Sequence, residues 1–270
     1  MPAENEFFTP FDESVAGFDL PKKFTNPFNN KPHPICLMAI KSVQNHLISQ
    51  SKWRHNFGLI AGAEGPIIGK MFGVLVVRNA QYELGYLAAF SGKLAGTYHH
   101  AKFVPPVFDG LQEGGFLNLG MKELSRINLE IKTLIKENSK ESVEKCESLK
   151  QLRKENSIAL QQKLFEHYQF LNSVGEEKSL LDIFRKPLYN KPASGSGECT
   201  APKLLQYAFQ HKMNPIAIAE FWWGQSPKSD FWKHGQFYAA CKEKCAPILS
   251  HMLQHVEMED GDPIYLKTRG

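Results

Sequence analysis

The chain has 270 residues, of which 42% are hydrophobic and 22% are charged, and its formal net charge at pH 7 is +4. These values are typical of a folded globular protein and exclude a disordered or fibrous chain. The small positive charge does not establish nucleic-acid binding, which depends on a basic patch and not on a basic total.

The sequence also bears on where the protein is found. No apolar run approaches the roughly 20 residues that span a bilayer, which argues against a membrane partner. The start, MPAENEFFTPFDESVAG, lacks the basic and apolar regions of a secretory signal. Five cysteines, an odd number, favour reduced thiols or metal ligands over a disulfide framework. We therefore expect a cytoplasmic protein.

The first third of the chain predicts an arm, a helix and a β-hairpin. Residues 1–33 are rich in Phe, Pro and Asn without periodicity, which favours an extended arm that lays its aromatic residues on the body. Apolar residues recur at helical spacing in 34–50, after a proline suited to a first turn. Two apolar runs, Met71–Val77 and Gly85–Phe90, flank a polar turn and indicate a buried hairpin.

The remaining pattern predicts an inserted helical hairpin and then a second α/β segment. Residues 119–172 are rich in Lys and Glu and carry two apolar stripes, as in two paired helices. A Pro/Gly/Ser-rich stretch follows, and then a helix (201–211), a strand (215–224) and another helix (237–255). We expect an α/β fold, a mixed sheet flanked by helices, formed by 34–118 and 173–257, with 258–270 as a C-terminal tail.

Three cysteines stand at similar places in this last segment. Cys199 precedes the first helix, and Cys241 and Cys245 are predicted near the start of the second, on one face of that helix. Helix N-termini lower the pKa of a thiol, and three thiolates with an open fourth position are typical of a zinc-activated water site. The alternative is that all three are small buried apolar residues.

The order of a hairpin, a helix that begins with a ligand, a strand and a Cys pair resembles the zinc-dependent nucleobase deaminases. The resemblance implies a cytidine-deaminase-like fold, with Glu198 as the candidate catalytic carboxylate. Two features differ from that family. Glu198 precedes Cys199 where those enzymes place the glutamate two residues after the ligand, and the Cys pair is ACKEKC where they have PCxxC.

Other residues are candidates for contacts with RNA or for ligation. Trp222 and Trp223 could stack on unpaired bases, although two adjacent tryptophans at the end of a strand more often pack on its two faces. His99 and His100 follow the second hairpin strand and could add a ligand or an RNA contact. Glu220 within a strand needs a partner if buried, and Lys203, also a candidate RNA contact, could supply it.

Several segments are similar to the N-terminal, non-catalytic region of large RluA-like RNA pseudouridine synthases. The likeness runs from about His33 to Leu253, and its most specific segments are GECTAPKLLQYAFQHKMNPIAIAEFWWGQSP and FYAACKEKCAPILSHML. In that family a catalytic domain with an HRLDxxTSG-type motif follows. This sequence has no such motif, so no catalytic aspartate is carried over.

The resemblance implies an auxiliary RNA-binding or substrate-positioning domain in RNA modification. Its partners would be ribosomal or transfer RNA and a pseudouridine synthase catalytic domain, fused or separate. Two alternatives stay open at this point. One is a zinc-dependent, deaminase-like hydrolase acting on a nucleobase or nucleotide, and the other is a protein-interaction domain that uses the helical hairpin.

Overall fold

A computed structural model describes residues 6–11, 15, 17–137, 139–185 and 191–259. In chain order its elements are β1 (Thr9–Pro10), α1 (Pro34–Ser49), β2 (Lys70–Arg78), β3 (Leu84–Phe90), α2 (Phe116–Glu137), α3 (Lys140–His167), β4 (Gln169–Leu171), β5 (Glu177–Ser179), α4 (Leu180–Phe184), α5 (Thr200–Gln210), β6 (Asn214–Trp223), β7 (Phe237–Tyr238) and α6 (Cys245–Met252). The fold is therefore of the α/β class. None of these helices combines the length and the apolar character needed to cross a membrane.

Within the described residues, the main sheet has five strands in the order β1-β3-β2-β6-β7, and every neighbouring pair is antiparallel. Strands β4 and β5 form a separate two-stranded sheet. The central strands β2, β3 and β6 are buried along almost their whole length, as their near-continuous apolar sequences predict. The predicted hairpin is confirmed, with β2 and β3 starting and ending within one residue of the expected bounds.

Helix α1 covers one face of this sheet. It begins where predicted, with Pro34 in its first turn, and the His33 side chain accepts a hydrogen bond from the backbone N–H of Ile35. Its buried side chains pack with alternate residues of β2, β3 and β6, and this cluster includes Phe72, Phe90 and Phe221. The Phe72 ring contacts the rings of Phe90, Phe103 and Phe221.

Helix α5 covers the opposite face, and glycine allows its close approach. A Cβ atom at Gly73 of β2 would lie 2.9 Å from Cβ of Thr200, the first residue of α5. A methyl group at this position would therefore push the helix N-terminus away from the sheet. Gly73 thus fixes the height of the α5 N-terminus above the sheet, and this is the end of the helix that carries Cys199.

The last predicted helix begins later than the sequence indicates. Phe237 and Tyr238 pair with Phe221 and Glu220 as strand β7, and α6 starts only at Cys245. The prediction of a helix from 237 was wrong because strand pairing at the edge of the sheet outweighs the helical spacing of these residues. The stretch from 180, predicted as a loop, also begins with a short helix, α4, and residues 186–190 lie outside the described part.

The arm at the start of the chain contributes aromatic side chains to the body. Phe24 is buried, Phe11 packs against Tyr86, and the Phe7 ring meets Tyr207 edge-on. Strand β1 adds the arm to the outer edge of β3. Phe18, in contrast, is exposed.

The chain divides into two compact units. One is Phe108–Tyr168, and the other is formed by residues up to Val107 and from Gln169 onward. The smaller unit consists of α2 and α3, which share a core of Ile127, Ile131, Leu134 and Cys146. Ser139 begins α3 with a reciprocal pair of hydrogen bonds to Ser142, which fixes the N-terminus of that helix. The surface of this helical unit carries exposed ion pairs such as Arg126–Glu123.

Candidate metal centre

The three cysteines of the second α/β segment come together at the N-termini of two helices. Cys199 is the N-cap residue of α5, and Cys245 is the first residue of α6. Cys241 lies in the turn before α6, so it does not share a helix face with Cys245 as predicted. The turn nevertheless brings the two sulfurs together, because the chain folds back between them and the N–H of Cys245 donates to the carbonyl of Cys241 (3.3 Å).

The three sulfur atoms are close enough to hold one metal ion. All lie within 4.8 Å of one another, and Cys241 Sγ and Cys245 Sγ are 3.3 Å apart. Cys245 is buried, whereas Cys199 and Cys241 are partly exposed. The group of candidate ligands consists of these three cysteines and, within the described residues, includes no histidine or carboxylate. The centre therefore offers three soft sulfur ligands with access from the surface.

The environment of Cys241 favours a thiolate. Hydrogen bonds from the Cys199 and Cys245 thiols lower its pKa most, and the backbone N–H groups of Lys244 and Cys245 lower it further. Hydrogen bonding to Cys241 correspondingly raises the pKa of Cys199, and the same contacts together with burial raise the pKa of Cys245. The centre therefore favours a thiolate at Cys241 and disfavours further thiolates at Cys199 and Cys245. A bound cation would relieve the repulsion between neighbouring thiolates.

Glu220 lies beneath the N-terminus of α5, on the neighbouring strand β6. Its Oε1 accepts hydrogen bonds from the hydroxyl of Thr200 and from the backbone N–H of Ala201, the latter at 3.0 Å. Glu220 therefore caps α5 from the sheet, a role that the Cys199 side chain does not perform. Burial raises its pKa to about 7, and the two hydrogen bonds oppose that shift. Its partners are these groups and not Lys203, which the sequence suggested.

Lys203 is buried beside the cysteine centre, one turn after Cys199. Its Nζ donates to the carbonyl oxygens of Phe90 (3.0 Å) and Gly92 (3.3 Å) and lies 5.7 Å from the centre of the Tyr98 ring. Burial lowers its pKa to about 8, while the negative charge of Glu198 and then that of Cys199 oppose the shift. With 2% of its surface exposed, Lys203 is an internal cation and not an RNA-contacting side chain.

Glu198 stands next to this lysine and not among the metal ligands. Its Oε1 accepts a hydrogen bond from the Tyr98 hydroxyl (2.7 Å). Lys70 lies on the same side, because a Cβ on Gly92 would be 3.6 Å from Glu198 Oε2 and 4.0 Å from Lys70 Nζ. Burial lowers the pKa of Lys70, and Glu198 partly offsets this shift. Two lysines, a carboxylate and a phenol thus form a polar cluster beside the cysteines.

The two histidines have different surroundings. His100 packs against Trp53 with ring centres 4.8 Å apart, and its Nε2 is 2.7 Å from the Leu94 carbonyl oxygen. It therefore stabilises the loop after β3. His99 is exposed on that loop. In the part of the chain that the structure describes, neither belongs to a group able to hold a metal ion.

The two tryptophans at the end of β6 point to opposite faces of the sheet. Trp223 is 7% exposed and packs in the α1-side core, so its ring faces are not available to a base. Trp222 is partly buried on the other face and stacks on Trp232, with ring centres 5.1 Å apart and planes inclined by 20°. Sequence reasoning missed Trp232 and its neighbours because they lie in a loop without any periodic pattern.

Sequence reasoning also missed Tyr98 and Lys70. The hydrogen bond from Tyr98 to Glu198 joins residues 100 positions apart, and no local spacing signals it. Comparison with known proteins adds no further residues, since no protein-family model, no curated protein and no solved structure matches this chain.

Proposed function

We propose that this protein binds one zinc ion through Cys199, Cys241 and Cys245, and that the zinc-bearing domain is an RNA-binding or substrate-positioning module in RNA modification. The observation that carries the metal proposal is the convergence of three sulfurs within 4.8 Å from two separate segments. Zinc suits this donor set, because thiolates are soft ligands and tetrahedral zinc accepts three of them with a fourth position left over.

Two further features support a metal over a disulfide. Three thiols cannot all pair, and the backbone N–H groups that donate to Cys241 are the kind of contact that orients and tunes a metal-bound thiolate. The N-termini of α5 and α6 both point to the sulfurs, and their positive ends stabilise negative charge. The neighbouring Lys203 adds a positive charge on the sheet side.

The RNA part of the proposal is supported by resemblance. The segments most similar to RluA-like pseudouridine synthases, GECTAPKLL and FYAACKEKCAPIL, are those that supply the three cysteines. The similarity therefore coincides with the candidate site. We propose ribosomal or transfer RNA as the nucleic-acid partner and a pseudouridine synthase catalytic domain, fused or separate, as the protein partner.

A second candidate function is a zinc-dependent hydrolase that acts on a nucleobase or nucleotide. The observation that favours it is the position of Glu220, a buried carboxyl group that holds the first turn of α5 beside Cys199, the N-cap residue and one of the three candidate ligands. Zinc with an open position supplies an activated water for such chemistry. A carboxyl group near that water could act as its general acid/base.

Metal analysis of the purified protein tests the zinc proposal. We expect about one zinc per folded chain and loss of the metal in Cys199→Ser and Cys241→Ser. Cys36→Ala and Cys146→Ser are matched controls, because both cysteines are buried and neither belongs to the group of three sulfurs, so both variants should leave the zinc content unchanged. A fully folded protein with less than about a tenth of an equivalent of zinc would rule out the metal centre.

RNA binding at low salt tests the proposed RNA-binding function. We expect binding that weakens linearly with salt on logarithmic axes, because phosphate contacts release counterions. Release of ammonia from cytidine, adenosine or single-stranded RNA by the zinc-loaded protein, lost in Glu220→Gln, would support the hydrolase instead. Absence of RNA binding at low salt would contradict the RNA-binding module.

A further inference from the structure

Four aromatic side chains form a connected surface at the end of β6, in the loop that leads to β7 and in β7 itself. This aromatic platform consists of Trp222, Phe231, Trp232 and Tyr238. Trp232 lies between the others, with ring centres 4.7 Å from Tyr238, 4.8 Å from Phe231 and 5.1 Å from Trp222. The Trp222 and Trp232 planes are inclined by only 20°, so their indoles are stacked.

The loop that carries the platform is held in place by hydrogen bonds. The Tyr238 hydroxyl donates to the carbonyl of Phe231 (2.7 Å) and accepts from the N–H of Lys233 (2.8 Å). At the base of the loop, the N–H of Gly235 donates to the carbonyl of Trp222 (2.8 Å). The rings are therefore fixed before any partner binds, which lowers the entropy lost on binding.

The platform is open to solvent. Phe231 is 66% exposed, and the other three rings are partly exposed. A single exposed apolar side chain is common on protein surfaces, but a contiguous group of aromatic rings such as this one is typical of a contact surface. Phe231 is the outermost ring of the platform.

Charge around the platform favours a polyanion. Lys228 and Lys233 are exposed within the loop, and Lys242 is exposed shortly after β7. Among residues 228–244 there are four lysines and two acidic residues. An aliphatic protein surface would gain nothing from these cations, whereas a nucleic-acid backbone would bind them through its phosphates.

The platform also lies on the same face of the sheet as the cysteine centre. Trp222 is two residues after Glu220, so both side chains project to the α5 side. Tyr238 is the direct partner of Glu220 in the β6–β7 pairing, and Cys241 follows three residues later. A strand of RNA seated on the platform would therefore lie beside the proposed zinc centre.

We infer that the aromatic platform stacks unpaired nucleobases of single-stranded RNA, with the surrounding lysines binding its phosphates. This inference rests on the proposed RNA-binding function and names the surface that performs it. Stacking of a base on an aromatic ring is tolerant of sequence, because every base has a π-face. The platform thus selects unpaired RNA over duplex RNA, whose bases are already stacked.

Fluorescence anisotropy with a labelled 12-nucleotide oligouridine tests the inference. The probe is compared with an abasic oligomer of the same length and with a duplex of that length, all at low salt. We expect the wild-type protein to bind the oligouridine at least about tenfold more tightly than the abasic oligomer. Phe231→Ala should weaken oligouridine binding about tenfold and leave abasic binding unchanged, and Phe231→Trp should retain it.

Tyr82→Ala is the matched control, since Tyr82 is an exposed aromatic residue in the β2–β3 turn. It should bind oligouridine as the wild type does. Equal affinity of the wild-type protein for oligouridine and for the abasic oligomer, or unchanged binding in Phe231→Ala, would overturn the platform while leaving RNA binding intact. A wild-type protein that binds none of the three probes contradicts the RNA-binding function itself, and the platform with it.

Discussion

The two faces of the five-stranded sheet are built from different chemistry. On the α1 side, the residues are apolar and aromatic, and Phe72, Phe90 and Phe221 form a continuous core. On the α5 side, the sheet is next to a buried lysine, a buried glutamate and three cysteines. Apolar packing accounts for the residues on the α1 side. The buried charged groups on the α5 side, in contrast, contribute little to the stability of the fold.

The cysteines on the two sides of the sheet also have different surroundings. Cys36 is buried in α1, where desolvation alone raises its pKa to about 12, so this thiol behaves as a small apolar side chain. Cys241 is surrounded by thiols and backbone N–H groups that lower its pKa. The cysteines on the α5 side thus form a group that could hold a metal ion, whereas Cys36 on the α1 side packs in the core.

The largest effect on stability is expected on the apolar face. Phe72→Ala removes a fully buried ring that contacts Phe90, Phe103 and Phe221, and it should lower the free energy of unfolding by about 3–5 kcal/mol. Chemical denaturation measures this loss. The zinc content of the protein that remains folded should not change. If this variant lost zinc while still folded, the two faces would not be independent.

Glu220→Gln probes the polar face through pH. Because burial raises the pKa of Glu220 from 4.5 to about 7, the folded state binds this proton more tightly than the unfolded chain does. The free energy of unfolding of the wild type, relative to that of Glu220→Gln, should therefore fall by about 3 kcal/mol as pH rises from 4.5 to 7. Metal-free protein in a chelator is the sample, and denaturation at several pH values is the measurement.

The exposed Glu177→Gln serves as the control for that experiment and should keep the wild-type slope. An identical pH dependence in the wild type and in Glu220→Gln would mean that the carboxyl is not shielded from water.

Lys203→Met tests whether the buried lysine supports metal binding. The change removes the hydrogen bonds that Nζ donates to the carbonyl groups of Phe90 and Gly92, so it should lower the free energy of unfolding by about 1–3 kcal/mol. Zinc affinity should fall about tenfold, because a positive charge beside Cys199 is lost. Competition with a chromophoric chelator measures this change. The control is Lys41→Met, at an exposed position on α1, which should leave the zinc affinity unchanged. An unchanged zinc affinity in Lys203→Met would show that Lys203 does not contribute to metal binding.

The smallest effect is expected at Tyr86 of β3, which makes a polar contact with α1. Its hydroxyl donates to Ser42 Oγ at 2.7 Å. Tyr86→Phe should lower the free energy of unfolding by about 1 kcal/mol and leave zinc affinity unchanged. Thermal unfolding and the same chelator competition provide the two readouts. A change in zinc affinity would show that the apolar face contributes to the centre.

The apolar face was largely predictable from the sequence. The spacing from Pro34 to Ser49 defines α1, and the apolar runs of β2, β3 and β6 define the buried strands to within one residue. Long periodic segments can be recognised from the sequence alone, because the regular geometry of a helix or strand buries residues at a fixed spacing. The α/β class follows from them.

The polar face was predictable only in part. The sequence identified Cys199, Cys241 and Cys245 as one group, because each stands near the start of a predicted helix. It placed α6 too early, since a two-residue strand such as β7 leaves no pattern to detect. Contacts such as Tyr98 with Glu198 join distant segments and depend on the folded chain. The aromatic platform was missed for the same reason, apart from Trp222.

X-ray absorption at the zinc edge would show whether the three cysteine sulfurs hold a zinc ion. Three cysteine ligands and an open fourth position predict three sulfur atoms at about 2.3 Å and one oxygen or nitrogen atom at about 2.0 Å. Cys245→Ser should remove one of the three sulfur scatterers or abolish binding, whereas Cys36→Ala should give the wild-type spectrum. A zinc ion without sulfur neighbours, or a folded protein that takes up no zinc, would contradict the account.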